Sequence, residues 1–191
     1  MAEAIAAEWE AQDEGINPET MPCTKSANAA IDKVANQHGE VADMLADYGD
    51  SDLLCYRAEA PQELVQRQNE TWNPILDWAA QEFGPRLEPR QGLMHRPQDP
   101  TSLQVLRRAV HDLSNFQLAA FHDLVCLSGS LVLGFAALKE FAPIESLWEL
   151  SRVDESWQEE QWGVDEEAAE LAQTKQISFK NAFSFAQLCK I

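Results

Sequence analysis

The sequence predicts a mainly α protein, a helical bundle domain with a small β-containing N-terminal portion. Three observations carry that prediction. From Leu103 to Leu138 apolar residues recur at three- and four-residue steps, the spacing of a helix face. Leu131 to Leu138 is apolar on all sides, as expected of the central, most buried helix of a bundle. Leu53-Leu54-Cys55-Tyr56, bounded by Gly49-Asp50-Ser51-Asp52 and Pro61, is too short for a stable helix and reads as a strand.

The elements follow in order. Ala2 to Gln12 has helix-forming composition, places Ile5 and Trp9 one turn apart, and stops before the Gly15 to Pro18 turn. After Met21-Pro22, Thr24 can cap a second helix whose inner face is Ala27, Ala30, Ile31 and Val34 and which closes at Gly39. Val41 to Tyr48 forms a third, and the Leu53 to Tyr56 strand follows. That strand needs a partner, and the candidate is Ile177 to Leu188, where the mixture of Ile177, Phe179, Phe183 and Phe185 with polar residues leaves helix and strand both open. Pro61 opens a helix carrying Leu64, Val65 and Gln68, which Pro74 kinks or restarts before Ile75, Trp78, Ala79 and Phe83; Gly84-Pro85 ends it. Pro85 to Pro100, rich in proline and charge, reads as an irregular surface linker. Thr101 or Ser102 starts the next helix, with Leu103, Leu106, Val110 and Leu113 inward. Phe116 to Val125 continues the apolar series to the Ser128-Gly129 break. An acidic, tryptophan-bearing helix enters through Pro143, and a second acidic helix runs from Asp165 to about Gln173.

Charge narrows the partners. The 191 residues carry a formal net charge of −18, which disfavours phosphate backbones and anionic lipid, so neither nucleic acid nor a membrane surface is expected as partner. The apolar fraction of 45% is nonetheless that of a globular chain. The apolar run from Leu124 to Leu138 is broken by Ser128, Gly129, Ser130 and Gly134, so it fits a core helix and not a membrane span. Cys23, Cys55, Cys126 and Cys189 form no C-x-x-C pair and read as reduced, mostly buried thiols of a cytosol-like compartment, without a zinc site. The acidic N-terminus has neither a transit pattern nor a secretory apolar stretch.

A catalytic constellation consists of paired carboxylates, a nucleophile–base pair or metal ligands at productive spacing. The best candidate is a repeat: His111-Asp112-Leu113 recurs as His122-Asp123-Leu124, eleven residues or about three helical turns later, so on one continuous helix both pairs would share a face. A metal-dependent phosphohydrolase of the His-Asp type is the enzymatic alternative, although His95 sits in the proline-rich linker and the ligand set is incomplete. Ser128-Gly129-Ser130 lacks the lysine of a phosphate-binding loop and is better explained by helix capping. Arg57 reads as an exposed edge residue or a buried ion-pair partner, the first being more usual. Trp72 and Trp78 read as core. No catalytic residue, cofactor or metal is assigned.

The most distinctive stretch is Ile144 to Glu170, which holds Trp148, Trp157 and Trp162 and ten acidic residues against one base, Arg152. Trp148, Glu155 and Trp162 are seven residues apart and would fall along one slowly drifting stripe of a continuous helix. The stripe is apolar at Ile144, Leu147 and Trp148, polar at Ser151, Glu155 and Gln158, and aromatic again at Trp162. It suits either a helix leaving the core halfway along or a docking face for a basic or cationic protein partner.

Six blocks in sequence carry a resemblance: AIAAEW (Ala4 to Trp9), MPCTKSANAAID (Met21 to Asp32), DLLCYRA (Asp52 to Ala58), W-N-P from Trp72 with the later Trp78, SGSLVLG (Ser128 to Gly134) and VDESWQEEQWGVDEEA (Val153 to Ala168). In order and spacing they resemble the assembly chaperones that bind the α subunit of the F-type ATP synthase, found in mitochondria and in alphaproteobacteria. The resemblance implies no enzymatic activity and no cofactor, a helical C-terminal domain, and a monomer that shields the surface the α subunit offers to β. It points to Glu155 as a functional position in partner binding, with Gln158, Trp162 and Glu166 as neighbours and Asp154 in the same block; Trp148 is expected to anchor in the core. Family members carry a β-rich segment ahead of the AIAAEW helix, which is expected to be truncated here. Residues 1–58 are then the remnant of an N-terminal α/β portion and 59–175 the helical bundle domain. Residues 176–191 form a C-terminal segment, open to a strand returning to the first portion. The implied location is bacterial cytoplasm, or the mitochondrial matrix in a eukaryote. A general acidic protein-binding adaptor is the remaining alternative.

Overall fold

A computed structural model of the chain describes residues 1–84, 86–92 and 94–190. Pro85 and Leu93 of the predicted linker, and Ile191 of the C-terminal segment, lie outside the described residues. The described helices are α1 (Ala2–Glu10), α2 (Pro22–Asp32), α3 (His38–Ala46), α4 (Gln62–Phe83), α5 (Pro100–His111), α6 (Asn115–Ser128), α7 (Leu131–Leu138), α8 (Ile144–Leu150), α9 (Val153–Trp162) and α10 (Glu166–Leu188). Two short strands, β1 (Tyr56–Arg57) and β2 (Arg90–Gln91), form the described sheet. The architecture is mainly α, as the apolar spacing predicts.

Several helix starts differ from expectation because a better cap lies nearby. Thr24 does not cap α2; Pro22 occupies its first turn, and the Glu8 carboxylate of α1 accepts from the Cys23 and Thr24 amides at 2.7 and 2.8 Å. A carboxylate at a helix N-terminus satisfies orphan N–H groups and complements the dipole, so α1 is tied down through one side chain. Ile31, expected on the inner face of α2, is 56% exposed, because the helix ends at Asp32 and a 3-10 turn at Val34–Asn36 redirects the chain. Asp99, not Thr101 or Ser102, caps α5, accepting from the Ser102 amide at 2.9 Å. Ser114 and Gln117 form a capping box at the start of α6.

The β element is smaller and paired differently from prediction. Leu53–Cys55 is a 3-10 turn, and only Tyr56–Arg57 is extended. Its partner is β2, inside the segment read as a linker, in parallel register with Tyr56 opposite Arg90 and Arg57 opposite Gln91. Parallel strands require a crossover of a dozen or more residues, and α4 supplies it. The linker is therefore anchored rather than loose, with Leu87 and Gln98 buried. The C-terminal segment is not a strand; the long α10 carries Phe179, Ala182, Phe185 and Ala186 inward at helical steps and packs along α6. Helix α4 continues through Pro74 without restarting and ends at Gly84, whose φ of 98° suits glycine.

Helix α7 sits at the centre, between α4, α6, α8 and α10. Leu131, Leu133, Ala136 and Ala137 are fully buried. Its N-terminal amides cannot reach water and are met from within the protein. Ser130 Oγ accepts from Leu133 N at 3.0 Å, and the fully buried Asp52 accepts from Val132 N and Leu54 N, each at 3.0 Å. Burial pushes the Asp52 carboxyl up to about 6 against the opposing pull of these hydrogen bonds. Gly134 lets α7 approach α6, since a Cβ there would lie 2.7 Å from Val125 Cγ2 and 2.9 Å from Phe121 Cε2.

Gly134→Ala is predicted to lower stability in urea unfolding. Overpacking of about 1–3 kcal/mol exceeds the roughly 1 kcal/mol that alanine gains in helix propensity. A more stable variant would contradict the close approach. For Asp52 the folded value lies above the unfolded one. Its contribution is therefore fully present below about pH 4 and is lost as pH rises through about 6. Between pH 7 and pH 4 the wild type is expected to gain about 2–3 kcal/mol relative to Asp52→Asn, read from paired unfolding curves; parallel pH profiles would refute the assignment.

Candidate functional site

The acidic tryptophan segment is not one helix. It breaks at Ser151 and Arg152 into α8 and α9, so the seven-residue stripe through Trp148, Glu155 and Trp162 does not run continuously. The cause is local: Ser151 Oγ donates to Trp148 O at 2.7 Å, and Arg152 takes φ −117° and ψ 16°. The break frees the Leu150 carbonyl, which accepts from the Trp72 indole of α4 at 2.8 Å. Trp148 is buried against Phe179 of α10, with ring centroids 5.6 Å apart, and anchors α8 as expected.

Helix α9 is laid along α4 by polar contacts. Arg67 grips Glu160 through both guanidinium nitrogens, at 2.7 and 2.8 Å, and lies over the Trp157 ring at 4.8 Å. These contacts hold the Glu160 carboxyl below its ordinary value. Asp154 accepts from Gln68 Nε2 at 2.6 Å. The same Gln68 side chain accepts from Ala58 N through Oε1, and the Gln68 backbone carbonyl accepts from Arg57 Nη1 at 2.6 Å. Arg57 is buried, donates to Leu54 O at 2.9 Å and to the side-chain oxygens of Asn69 and Asn73, and lies over Trp72 at 5.0 Å. Burial lowers its value to about 10. A relay from β1 through α4 thus reaches α9.

The five sequence-predicted residues separate. Asp154 faces α4. Glu155 is half-exposed and pairs with Arg152 at 2.8 Å. Gln158 is exposed, and Trp162 is 79% exposed at the end of α9. Glu155, Gln158 and Trp162 stand at i, i+3 and i+7, one outer face of α9. Gly163, with φ 92°, ends α9, and Asp165 caps α10, whose first turn carries the exposed Glu166. Around this elbow Val164, Leu171 and Ile177 are also exposed, and a groove of about 330 Å³ lies between α8–α9 and α10, lined by residues that include Trp148, Arg152, Glu159 and Gln176. The arrangement offers apolar anchors within a field of carboxylates.

Sequence reasoning missed Arg57, Gln68 and Trp72 as a positioning unit. Arg57 in particular is buried, contrary to the reading as an exposed edge residue; the signal available was its place in the block DLLCYRA. Trp72 is core, as predicted, and Trp78 is half-buried, packing on Phe83 and Phe141. The His-Asp repeat does not share a helix. Helix α5 ends at His111, which meets Asp43 of α3 at 2.8 Å, while His122 meets Asp123 within α6 at 2.9 Å and His95 meets Asp50 at 3.2 Å. Among the described residues no three histidine, cysteine or acidic side chains gather as metal ligands. Ser130 caps α7 across the αL residue Gly129, so the Ser128-Gly129-Ser130 motif is a helix joint.

The helical fold agrees with what the chain is similar to. Residues 1–80 match the family described as ATP12 chaperone protein. The crystal structure of Atp12 from Paracoccus denitrificans superposes with a TM-score of 0.96 at 47% identity, covering 99% of this chain and 81% of that one. A candidate chaperone from Agrobacterium tumefaciens superposes at 0.94 with 36% identity, over 99% and 71% of the two chains. The mitochondrial protein atp12 of Schizosaccharomyces pombe is 26% identical over 181 residues, 90% of this chain; the chain spans 62% of that relative's length. The chain belongs to the ATP12 chaperone family. Among the described residues no helix is long and apolar enough to cross a membrane.

Because Trp162 is exposed, Trp162→Ala is predicted to leave unfolding stability within about 0.5 kcal/mol of wild type, measured by urea denaturation. A larger loss would place the indole in the fold instead of on the outer face of α9.

Proposed function

We propose that this chain is an ATP-independent assembly chaperone that binds the free α subunit of the F-type ATP synthase. It shields the surface that α presents to β until assembly. The observation that carries the reading is Trp162, 79% exposed on the same outer face as Glu155 and Gln158 in a chain of this family. Tryptophan is costly to leave in water and is a preferred interface anchor, while the surrounding carboxylates suit a basic rim on the partner. Glu155, Gln158, Trp162 and Glu166 form the docking set, and Asp154 sets the pose of α9 from behind. An isolated α subunit exposes apolar surface meant for its neighbours, and covering it suppresses aggregation without hydrolysis. The chain acts as a monomer, without enzymatic activity or cofactor, in bacterial cytoplasm or, in a eukaryote, in the mitochondrial matrix.

The experiment mixes purified chain with isolated α subunit and then adds β. Suppressed aggregation, co-elution with α and release by β are expected. A chain that neither co-elutes with α nor keeps it in solution would overturn the proposal. Glu155→Lys should weaken binding roughly 10- to 100-fold with the circular dichroism spectrum unchanged; full binding by this variant would remove Glu155 from the docking set.

A further inference from the structure

The His-Asp repeat leaves one cluster that chaperone binding does not use. His122, Asp123 and Cys126 lie within about one turn of α6, and Tyr48 reaches them from the 3-10 turn at Asp47–Ser51. His122 Nδ1 meets Asp123 Oδ1 at 2.9 Å, and its Nε2 faces Cys126 Sγ at 3.8 Å. Tyr48 donates its hydroxyl to the same sulfur at 3.7 Å. Cys126 is exposed, whereas Cys23 and Cys55 are buried and Cys189 donates to the Phe185 carbonyl.

This is the geometry of an activated thiol. Asp123 orients the imidazole and favours its protonated form, the imidazolium then faces sulfur, and the phenol supplies a second donor to a thiolate. Partial burial pushes the thiol up, but the hydrogen bond and charge of His122 and the Tyr48 hydroxyl outweigh it, so Cys126 lies below the ordinary thiol value. His122 is held well above its own, first by Asp123 and then by Cys126. Both directions describe one thiolate–imidazolium pair, with Asp123 the opposing negative charge.

We propose that Cys126 is a surface site of reversible oxidation, a thiolate that reacts with hydroperoxides and is then capped by a low-molecular-weight thiol. The sulfur attacks one peroxide oxygen; an S–O bond forms as the O–O bond breaks, and the leaving hydroxide or alkoxide takes its proton from the His122 imidazolium. Sulfur loses two electrons and the peroxide gains them. A small thiol then displaces water from the sulfenic acid, forming a mixed disulfide. His122 holds the thiolate and supplies the proton, Asp123 is the positioning residue, and the site is independent of binding to any ATP synthase subunit.

The test uses the full chain alone, with limiting iodoacetamide and peptide mass spectrometry. Cys126 is expected to alkylate about tenfold faster at pH 7 than glutathione, with the midpoint of its pH–rate profile below that of a free thiol. One equivalent of hydrogen peroxide should place a dimedone adduct on Cys126. His122→Gln should slow alkylation and raise the profile midpoint, while Tyr48→Phe should raise it less. An ordinary-thiol profile in the wild type, or oxidation falling on another cysteine first, overturns the proposal whatever the variants do.

Discussion

Burying a helix on every side leaves its first amides without water, and the arrangement around α7 answers to that constraint. Helix N-termini carry orphan N–H groups that must be met by some acceptor. In α7 two of those amides are met by Ser130 from the local chain and by Asp52 from 80 residues earlier. A carboxylate is a costly group to bury, and its raised pKa records that cost. In return it holds the 3-10 turn at Leu53–Cys55 against the N-terminus of the central helix, which sets where β1 and Arg57 emerge.

From that point the polar interior reads as a sequence of substitutions for water. Arg57 is buried, and its guanidinium is distributed over the Leu54 and Gln68 carbonyls, the side chains of Asn69 and Asn73, and the face of Trp72. Gln68 passes the connection to Asp154, and the Trp72 indole takes the Leu150 carbonyl that the break between α8 and α9 exposes. Helix α9 is thereby aimed by groups in α4 and β1, none of which lies on its outer face. The outer residues Glu155, Gln158 and Trp162 are left unencumbered by the core, apart from the pair between Glu155 and Arg152.

The same logic accounts for both ends of the chain. Glu8 caps α2 across fifteen residues, so an alanine-rich helix with only a narrow apolar edge is held in place by a charge-assisted contact. The C-terminal aromatic stretch, ambiguous by pattern, becomes helical because Phe179, Ala182 and Phe185 meet the flank of α6 at helical steps. A parallel strand partner was available between α4 and α5, joined by a helical crossover, and β1 pairs there and not with the C-terminal segment.

Local chemistry alone determined the mainly helical class, the central place of Leu131 to Leu138, the core role of Trp72, and the acidic character of the segment bearing Glu155. Each follows from periodicity or composition within a few turns, where side-chain spacing and burial are coupled directly. Tertiary structure decided the rest: the pairing of β1 with β2, the burial of Arg57, the inward use of Asp154, and the division of the tryptophan segment into α8 and α9. Those outcomes depend on acceptors and donors distant in sequence, such as the Leu150 carbonyl meeting Trp72. A capping or hydrogen-bonding group does not signal in its own neighbourhood which distant partner it will satisfy.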